Sequence, residues 1–322
     1  MSEKALIIGG HGFIGYHISK QLSDNGLKVT IAHRSKELKQ QSDHKLVYLD
    51  LELISDAKLK DMVLEYAYII FCGGADDRTT PEGNAESFYY NANVLPCIKL
   101  AKASLASNIK KIIILGSYFS YFDRLNPGWH LKEKHPYIMS RHLQYTKTTE
   151  VVKNKIDICT IEIPYVFGST PDKTPLWKPL ISYINKMPIV FYTKGGTNIM
   201  DVGQVAKAIM GVINSKKHQP HWIIGSENVS WTKLIEMISI GLGKKRKVIL
   251  IPNIIVRIIA LVVKAYFSIF NKQPGLDPYH FIEVQTLNTF LNLSNSMKDL
   301  DYSKVNMQES INQTVMACGK LE

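Results

Sequence analysis

The stretch Lys4-Ala-Leu-Ile-Ile-Gly-Gly-His-Gly-Phe-Ile-Gly15 decides how this chain folds. Ala5 to Ile8 form a short apolar run of strand length, and Phe13, Ile14, Ile18 and Leu22 then recur at helical spacing. Between the two runs, glycines stand at positions 9, 12 and 15. Gly9 can take backbone angles closed to other residues, Gly12 lets the main chain approach a pyrophosphate, and Gly15 lets the helix pack close to the strand. A helix that starts here presents unpaired N–H groups and a partial positive charge to phosphates. Three glycines alone are a weak signal; the strand before and the helix after supply the context the motif requires. The reading is dinucleotide binding, with Gly9, Gly12, Phe13, Ile14 and Gly15 at the phosphates.

The first half continues the alternation. Strands are expected at 4–8, 28–32, 45–49, 67–72, 111–116 and 157–163, and helices near 13–24, 56–65, 85–106 and 137–153. This pattern predicts an α/β fold with a doubly wound parallel sheet of the Rossmann type. Past Gly168, Pro171, Pro175 and Pro179 mark a loop-rich stretch. Helices near 202–214 and 230–242 and strands at 221–224 and 247–251 follow. Residues 1–168 are expected to form the dinucleotide-binding domain, with returning segments near 195–225. Residues 169–322 are expected to form a smaller, partly interleaved substrate lobe.

With 322 residues, 45% hydrophobic and 21% charged, the chain is large enough for this plan and reads as globular. Its four cysteines are scattered, without CxxC or a histidine cluster at ligand spacing, so neither a disulfide framework nor a metal site is expected. The first strand starts at Lys4, which leaves no room for a signal peptide, and the cytoplasm is the expected compartment. The net charge of +11 is dispersed apart from Lys216-Lys217 and Lys244-Lys245-Arg246-Lys247. Its ordinary reading is a solvated surface; the sharper ones are anionic substrates or acidic lipid. No RNA-binding signature accompanies it, so nucleic acid is not an expected partner. Ile254 to Phe270 is almost wholly apolar, interrupted by Arg257 and Lys264 on one helical face. It is marginal for crossing a bilayer. Either it forms an amphipathic helix covering the substrate cleft, or it makes peripheral contact with a membrane.

Further segments carry a resemblance. Asp50-Leu51 follows the third strand, Phe71-Cys-Gly73-Gly74 the fourth, and Asn93-Val94 lies in the next helix. Ile114-Leu-Gly-Ser117 ends the fifth strand, Tyr137 opens a helix, and Glu162-Ile-Pro164-Tyr-Val-Phe-Gly168 follows the sixth strand. Asp201-Val-Gly-Gln-Val-Ala206 opens a later helix, and Ser294–Tyr302 with Met307–Ile311 closes the series. In this order the chain resembles the extended short-chain dehydrogenase/reductase family, of the NAD(P)-dependent epimerase/dehydratase and 3β-hydroxysteroid-dehydrogenase-like kind. The resemblance covers nearly the whole length. It implies that Asp50 and Leu51 lie beside the adenine, that Gly73 and Asn93 lie near the cofactor, and that Pro164 lies beside the nicotinamide. It also implies a small-molecule substrate and a homodimer built on the helices at 85–106 and 137–153.

The family's catalytic group is a Tyr acting on the substrate oxygen, a Lys four residues later and a Ser from the preceding strand. Here the match is Tyr137-Ile-Met-Ser-Arg141, with Ser117 as the serine and Ser120 as its near alternative. Glu162 lies 21 residues after Arg141, which fixes the register, so Arg replaces Lys. A guanidinium within ~4–6 Å lowers a phenol's pKa by roughly 1–3 units, enough to favour tyrosinate. It stays protonated, however, and cannot pass a proton onward. The loop 123–136, with Trp129, His130 and His135, is expected to border the cleft.

The second strand ends in His33-Arg34-Ser35-Lys36, without the carboxylate that binds both ribose hydroxyls of NAD. Arg34, helped by His33, Ser35 or Lys36, suits a 2′-phosphate, so NADP(H) is expected over NAD(H). No basic residue stands in Gly195–Asp201, where nucleotide-sugar enzymes of the family place an Arg. The leading expectation is an NADP(H)-dependent oxidoreductase interconverting a ketone and an alcohol. The alternatives are an epimerase or dehydratase with tightly bound NAD(P), and a non-catalytic NAD(P)-binding sensor or scaffold.

Overall fold

Residues 2–35, 44–171 and 173–319 are described by the computed structural model. Lys36 therefore lies outside the described residues. The apolar runs of the first half become β1 (Lys4–Ile8), β2 (Lys28–His33), β3 (Lys45–Tyr48), β4 (Tyr68–Phe71), β5 (Lys111–Ser117) and β6 (Asp157–Ile163), each within one residue of its expected ends. The second half contributes β7 (Tyr165–Phe167), β8 (Ile189–Tyr192), β9 (Gly196–Asp201), β10 (His221–Ile223), β11 (Glu227–Ser230), β12 (Lys247–Leu250) and β13 (Asn288–Thr289). A seven-stranded sheet runs β10-β6-β5-β4-β1-β2-β3, with every pairing parallel. The fold is an α/β doubly wound parallel sheet of the Rossmann type. Strand order reverses between β1 and β4, and in such sheets ligands bind at that switch point.

Strand periodicity builds both layers at once. Ala5 and Ile7 point to one face and pack with Ile18 and Leu22 of α1 (Phe13–Asp24). Leu6 and Ile8 point to the other and meet Leu59 and Val63 of α2 (Asp56–Val63). The expected helix at 85–106 is divided instead into α3 (Ala85–Tyr89), a π-helical turn (Tyr90–Val94) and α4 (Leu95–Ser104). Pro96 lacks the N–H that a regular helix would direct at residue 92, and the widened turn absorbs that loss.

Between β5 and β6 the chain forms α5 (Tyr118–Leu125), a short α6 (Leu131–Lys134) and α7 (Pro136–Val152). Glu162 of β6, buried, receives a two-pronged salt bridge from Arg124 of α5 at 2.8 and 2.6 Å. Smaller sheets follow. In one, β9 pairs with β7, β11 and β13; in the other, β8 pairs with β12. Around them lie α8 (Lys178–Lys186), α9 (Val202–Asn214), α10 (Trp231–Gly241), α11 (Asn253–Ile269), α12 (Pro278–Gln285), α13 (Ser294–Asp299) and α14 (Met307–Gly319). The α9 helix returns to pack beside α1 on the large sheet.

His135, ahead of α7, is fully buried. Its Nδ1 accepts the Asp277 N–H at 3.0 Å, and Nε2 has no partner among the described residues. Burial pushes its pKa down from 6.5 to about 4, against the pull of Asp277. The unfolded chain therefore takes up a proton that the folded chain refuses between those two values. The stabilisation is complete above pH 6.5 and is lost as pH falls towards 4, by about 3 kcal/mol. The melting temperature should drop over that window, and His135→Gln should flatten the drop. An unchanged pH slope in the variant would remove His135 as its source.

Candidate active site

The glycine turn is built as its sequence requires. Gly9 has a φ of +81°, and its carbonyl accepts the Gly12 N–H at 2.9 Å. A Cβ on Gly15 would lie 2.4 Å from the Gly9 oxygen and 2.7 Å from the Gly10 Cα, so a side chain there would displace the turn. Gly12 begins α1 with no side-chain cap, and the first helical turn carries no carboxylate. The uncapped N-terminus opens into a cleft of about 410 Å³, lined by Gly12, Phe13, Ile14 and Gly15. Donors without partners at a helix start, with nothing acidic before them, fit a diphosphate.

Gly73, Ser117, Tyr137, Arg141 and Pro164 line the same cleft. The other expected cofactor residues do not. Asp50 spends a carboxylate oxygen on the Glu52 N–H at 2.9 Å, and the carbonyl of buried Leu51 accepts from Lys99. His33 and exposed Arg34 stand at the end of β2, where His33 meets the His11 ring edge-on at 5.7 Å. Asn93 is fully buried and pins the turn after β4: its Oδ1 accepts the Ala75 N–H at 2.8 Å, and its Nδ2 donates to Ser140 at 2.9 Å.

The start of α7 presents Tyr137 to the same cleft, and its backbone N–H donates to the Gly275 carbonyl at 3.0 Å. The Arg141 guanidinium lies 5.1 Å from the centre of the Tyr137 ring. It donates to the Leu115 carbonyl at 3.2 Å, the Ala75 carbonyl at 3.2 Å and Gln144 at 2.8 Å; Gln144 in turn donates to the Asn93 carbonyl at 3.0 Å. Its Nε is buried and has no partner among the described residues. Ser117 caps α5, accepting the Phe119 N–H at 3.3 Å, whereas Ser120 does not reach the cleft. The expectation of a tyrosinate is overturned. Burial pushes the Tyr137 phenol above its ordinary value, and Arg141 and Ser117 pull it back only in part.

One residue that sequence reasoning missed is Asp77. It follows the Gly73-Gly74 turn and lines the cleft. Burial, and then the charge of Asp76, raise its pKa against the opposing pull of Arg78 and Arg141. The same carboxylate pushes up the phenols of Tyr89, Tyr118, Tyr137 and Tyr165. The only signal in the sequence was a pair of acids directly after a glycine turn. Also missed was an aromatic wall of Tyr118, Phe119, Tyr165 and Trp177, with Tyr165 touching each of the other three rings edge-on.

Two expectations about the cleft border are corrected. No residue of 123–136 lines it: Trp129 stacks on Phe122, and His135 is sealed beneath α12. No residue of 254–270 lines it either, so α11 does not cover the cleft. Glu162, tied to Arg124, also stays out of it.

Residues 5–225 match the family model of the NAD dependent epimerase/dehydratase family. The chain belongs to that family. A solved structure described as gox2253 shares 19% identity and superposes with a TM-score of 0.79, covering 99% of this chain and 98% of that one. UDP-N-acetylglucosamine 4-epimerase from Bacillus cereus gives 14% identity and a TM-score of 0.71, covering 100% and 98%. UDP-glucuronic acid 4-epimerase from the same organism, solved with UDP-glucuronic acid and NAD, gives 16% and 0.70, covering 99% and 100%. No curated protein matches the sequence significantly. Membership places the chain among NAD(P)-binding proteins and favours epimerase/dehydratase chemistry over the ketone–alcohol oxidoreductase expected from the sequence.

A Cβ at Gly12 would meet only the Gly9 oxygen, at 3.1 Å, and the local φ of −70° suits any residue. Gly12→Ala should therefore fold with a near-normal melting temperature and lose about tenfold or more in NAD(P)H affinity. Undiminished binding in calorimetry would contradict the placement of the diphosphate.

Proposed function

We propose that this chain is an NAD(P)-dependent enzyme of the epimerase/dehydratase type, acting at a carbinol carbon of a substrate that is not a nucleotide sugar. The observation that carries this reading is the convergence of Ser117, Tyr137 and Arg141 on the cleft into which the uncapped α1 N-terminus opens. When bound, NAD(P) would supply hydride exchange at that carbon. Tyr137 would hold the proton at the substrate oxygen, and its raised pKa keeps the phenol protonated, ready to donate. Ser117 would orient the same oxygen. Arg141, locked by three acceptors, would hold a fixed positive charge beside the Tyr137 ring.

Arg141 cannot relay a proton, so the cleft needs another carrier. Asp77 is a carboxyl in the same cleft, and burial raises its pKa. We assign it that role. The aromatic wall suits an apolar or ring-shaped substrate, since flat rings and C–H faces pack on it. Where nucleotide-sugar enzymes place a cation, Thr197 and Asn198 are buried and internally bonded, to Tyr118 at 2.8 Å and Asn228 at 2.8 Å. Nothing on that strand offers to hold a substrate pyrophosphate.

A second reading, net ketone–alcohol conversion with NADP(H), is favoured by the end of β2. Exposed Arg34 stands there beside His33, with no carboxylate. A charge-assisted contact to a 2′-phosphate contributes about 1.5–3 kcal/mol. Arg34→Ala should accordingly weaken NADPH binding by roughly tenfold or more and leave NADH nearly unaffected. Equal losses for the two nucleotides would sink the NADP(H) preference.

Incubating the purified chain with panels of hydroxylated and keto substrates separates the two readings. Product formed without net change in NAD(P)H supports the first, and stoichiometric consumption supports the second. In either case Tyr137→Phe should lower kcat by about 10²–10⁴-fold with cofactor affinity unchanged. Asp77→Asn should slow turnover and move the pH profile governed by Tyr137 to lower pH, because it removes a charge that raises the phenol's pKa. A profile unmoved in Asp77→Asn refutes the role given to Asp77. A cofactor-loaded chain whose turnover survives Tyr137→Phe refutes the reading as a whole.

A further inference from the structure

The α11 helix is inverted relative to an ordinary surface helix. Only Ala260 is buried, and Asn253, Val256 and Phe267 are half-buried on the same side. Beside them, Lys264 pairs with Asp277 at the start of α12 at 2.7 Å. The opposite side, an arc of roughly 200° at 100° per residue, is apolar and open. It carries Ile254, Ile258, Val262, Tyr266 and Ile269, each more than half exposed. A helix of this kind normally turns its apolar face to a core. Here the face has no partner among the described residues, and Phe270 and Leu250 extend it at either end.

The charge around this face identifies its occupant. From residue 237 to 276 the sequence holds seven Lys or Arg and no Asp or Glu. They are Lys244, Lys245, Arg246 and Lys247 ahead of α11, Lys272 just after it, and Arg257 and Lys264 on the side of the helix opposite the apolar arc, where Lys264 is already paired with Asp277. A second copy docking through this face would bring like charges together with no carboxylate in the segment to balance them. An anionic bilayer surface takes both features: the apolar arc enters the acyl boundary, and the cations stay at the headgroups. No helix among the described residues is long and apolar enough to cross a membrane, so α11 would lie in the surface rather than span it.

We infer that α11, with the flanking basic residues, is a docking surface for an anionic membrane. The inference is independent of the reaction the cleft performs. The docked surface would lie beside the active-site rim. Just past α11, the Asn271 carbonyl accepts the Gly83 N–H at 2.9 Å and Gln273 donates to the Pro81 carbonyl at 3.1 Å, on the loop that follows Asp77.

The test is flotation of the full chain with vesicles of phosphatidylcholine alone or of phosphatidylcholine mixed with phosphatidylserine. Binding to the anionic vesicles should exceed binding to the neutral ones by roughly tenfold and fall as salt is raised. Ile258→Glu with Val262→Glu should abolish flotation while melting temperature and NAD(P)H affinity stay as in the parent. Replacing Lys244, Lys245 and Lys247 by Gln should reduce flotation several-fold. Failure to float with anionic vesicles overturns the inference, as does equal binding to both vesicle types. So does light scattering that shows a dimer in the parent and a monomer in Ile258→Glu with Val262→Glu, which would make a second copy the occupant.

Discussion

The close approach of Gly15 to the Gly9 carbonyl is the constraint on which the rest of this molecule depends. With no Cβ in the way, α1 starts against the end of β1 and directs its uncapped N–H groups into the gap where the sheet reverses order. The strands on either side of that gap deliver everything else. β4 ends at the Gly73-Gly74 turn and Asp77, β5 ends at Ser117, and the segment after β6 supplies Pro164 and Tyr165. Parallel pairing brings these carboxyl ends to one edge of the sheet, so a single backbone contact sets the geometry of a whole cleft.

The catalytic end rests on a buried polar network. Asn93, Gln144, Ala75 and Leu115 hold Arg141 in one orientation, and Asn93 thereby acts on the cleft without lining it. Burial decides the ionisation here: an arginine next to the Tyr137 ring does not produce a tyrosinate, because desolvation of the phenol outweighs it. A neutral phenol, a fixed cation and a carboxyl with a raised pKa make a consistent set for donating a proton to a substrate oxygen. Lysine could carry charge and proton together; Arg141 carries only the charge, and under the proposed function Asp77 relays the proton.

The fold was legible because burial on both faces of a parallel sheet leaves a strong periodic trace, as in Ala5 to Ile8 followed by Phe13, Ile14, Ile18 and Leu22. That Ser117, Tyr137 and Arg141 would share one cleft followed from the family resemblance, and the fold brings them together there. What escaped the sequence depends on direction rather than pattern. Periodicity put Arg257 and Lys264 on one face of a helix but could not say that this face turns towards the protein and the apolar one away from it. The helix at 85–106 was drawn as continuous because a single proline near its middle gives no sign of a π turn. Asp77 carries no repeat or spacing of its own; only folding brings this acid into the cleft that Tyr137 also lines. Glu162, which the sequence used only to fix the register of the tyrosine motif, pairs in the structure with Arg124.

The central claim is that the cleft built on the glycine turn holds a nicotinamide dinucleotide. It is tested most directly by denaturing the chain as purified and identifying the released nucleotide by mass spectrometry, with calorimetric titration of the emptied, refolded protein. NAD(P) in the released fraction, or saturable binding of one such nucleotide per chain, is the expected result. A folded protein that releases none and binds neither NAD(H) nor NADP(H) would contradict it.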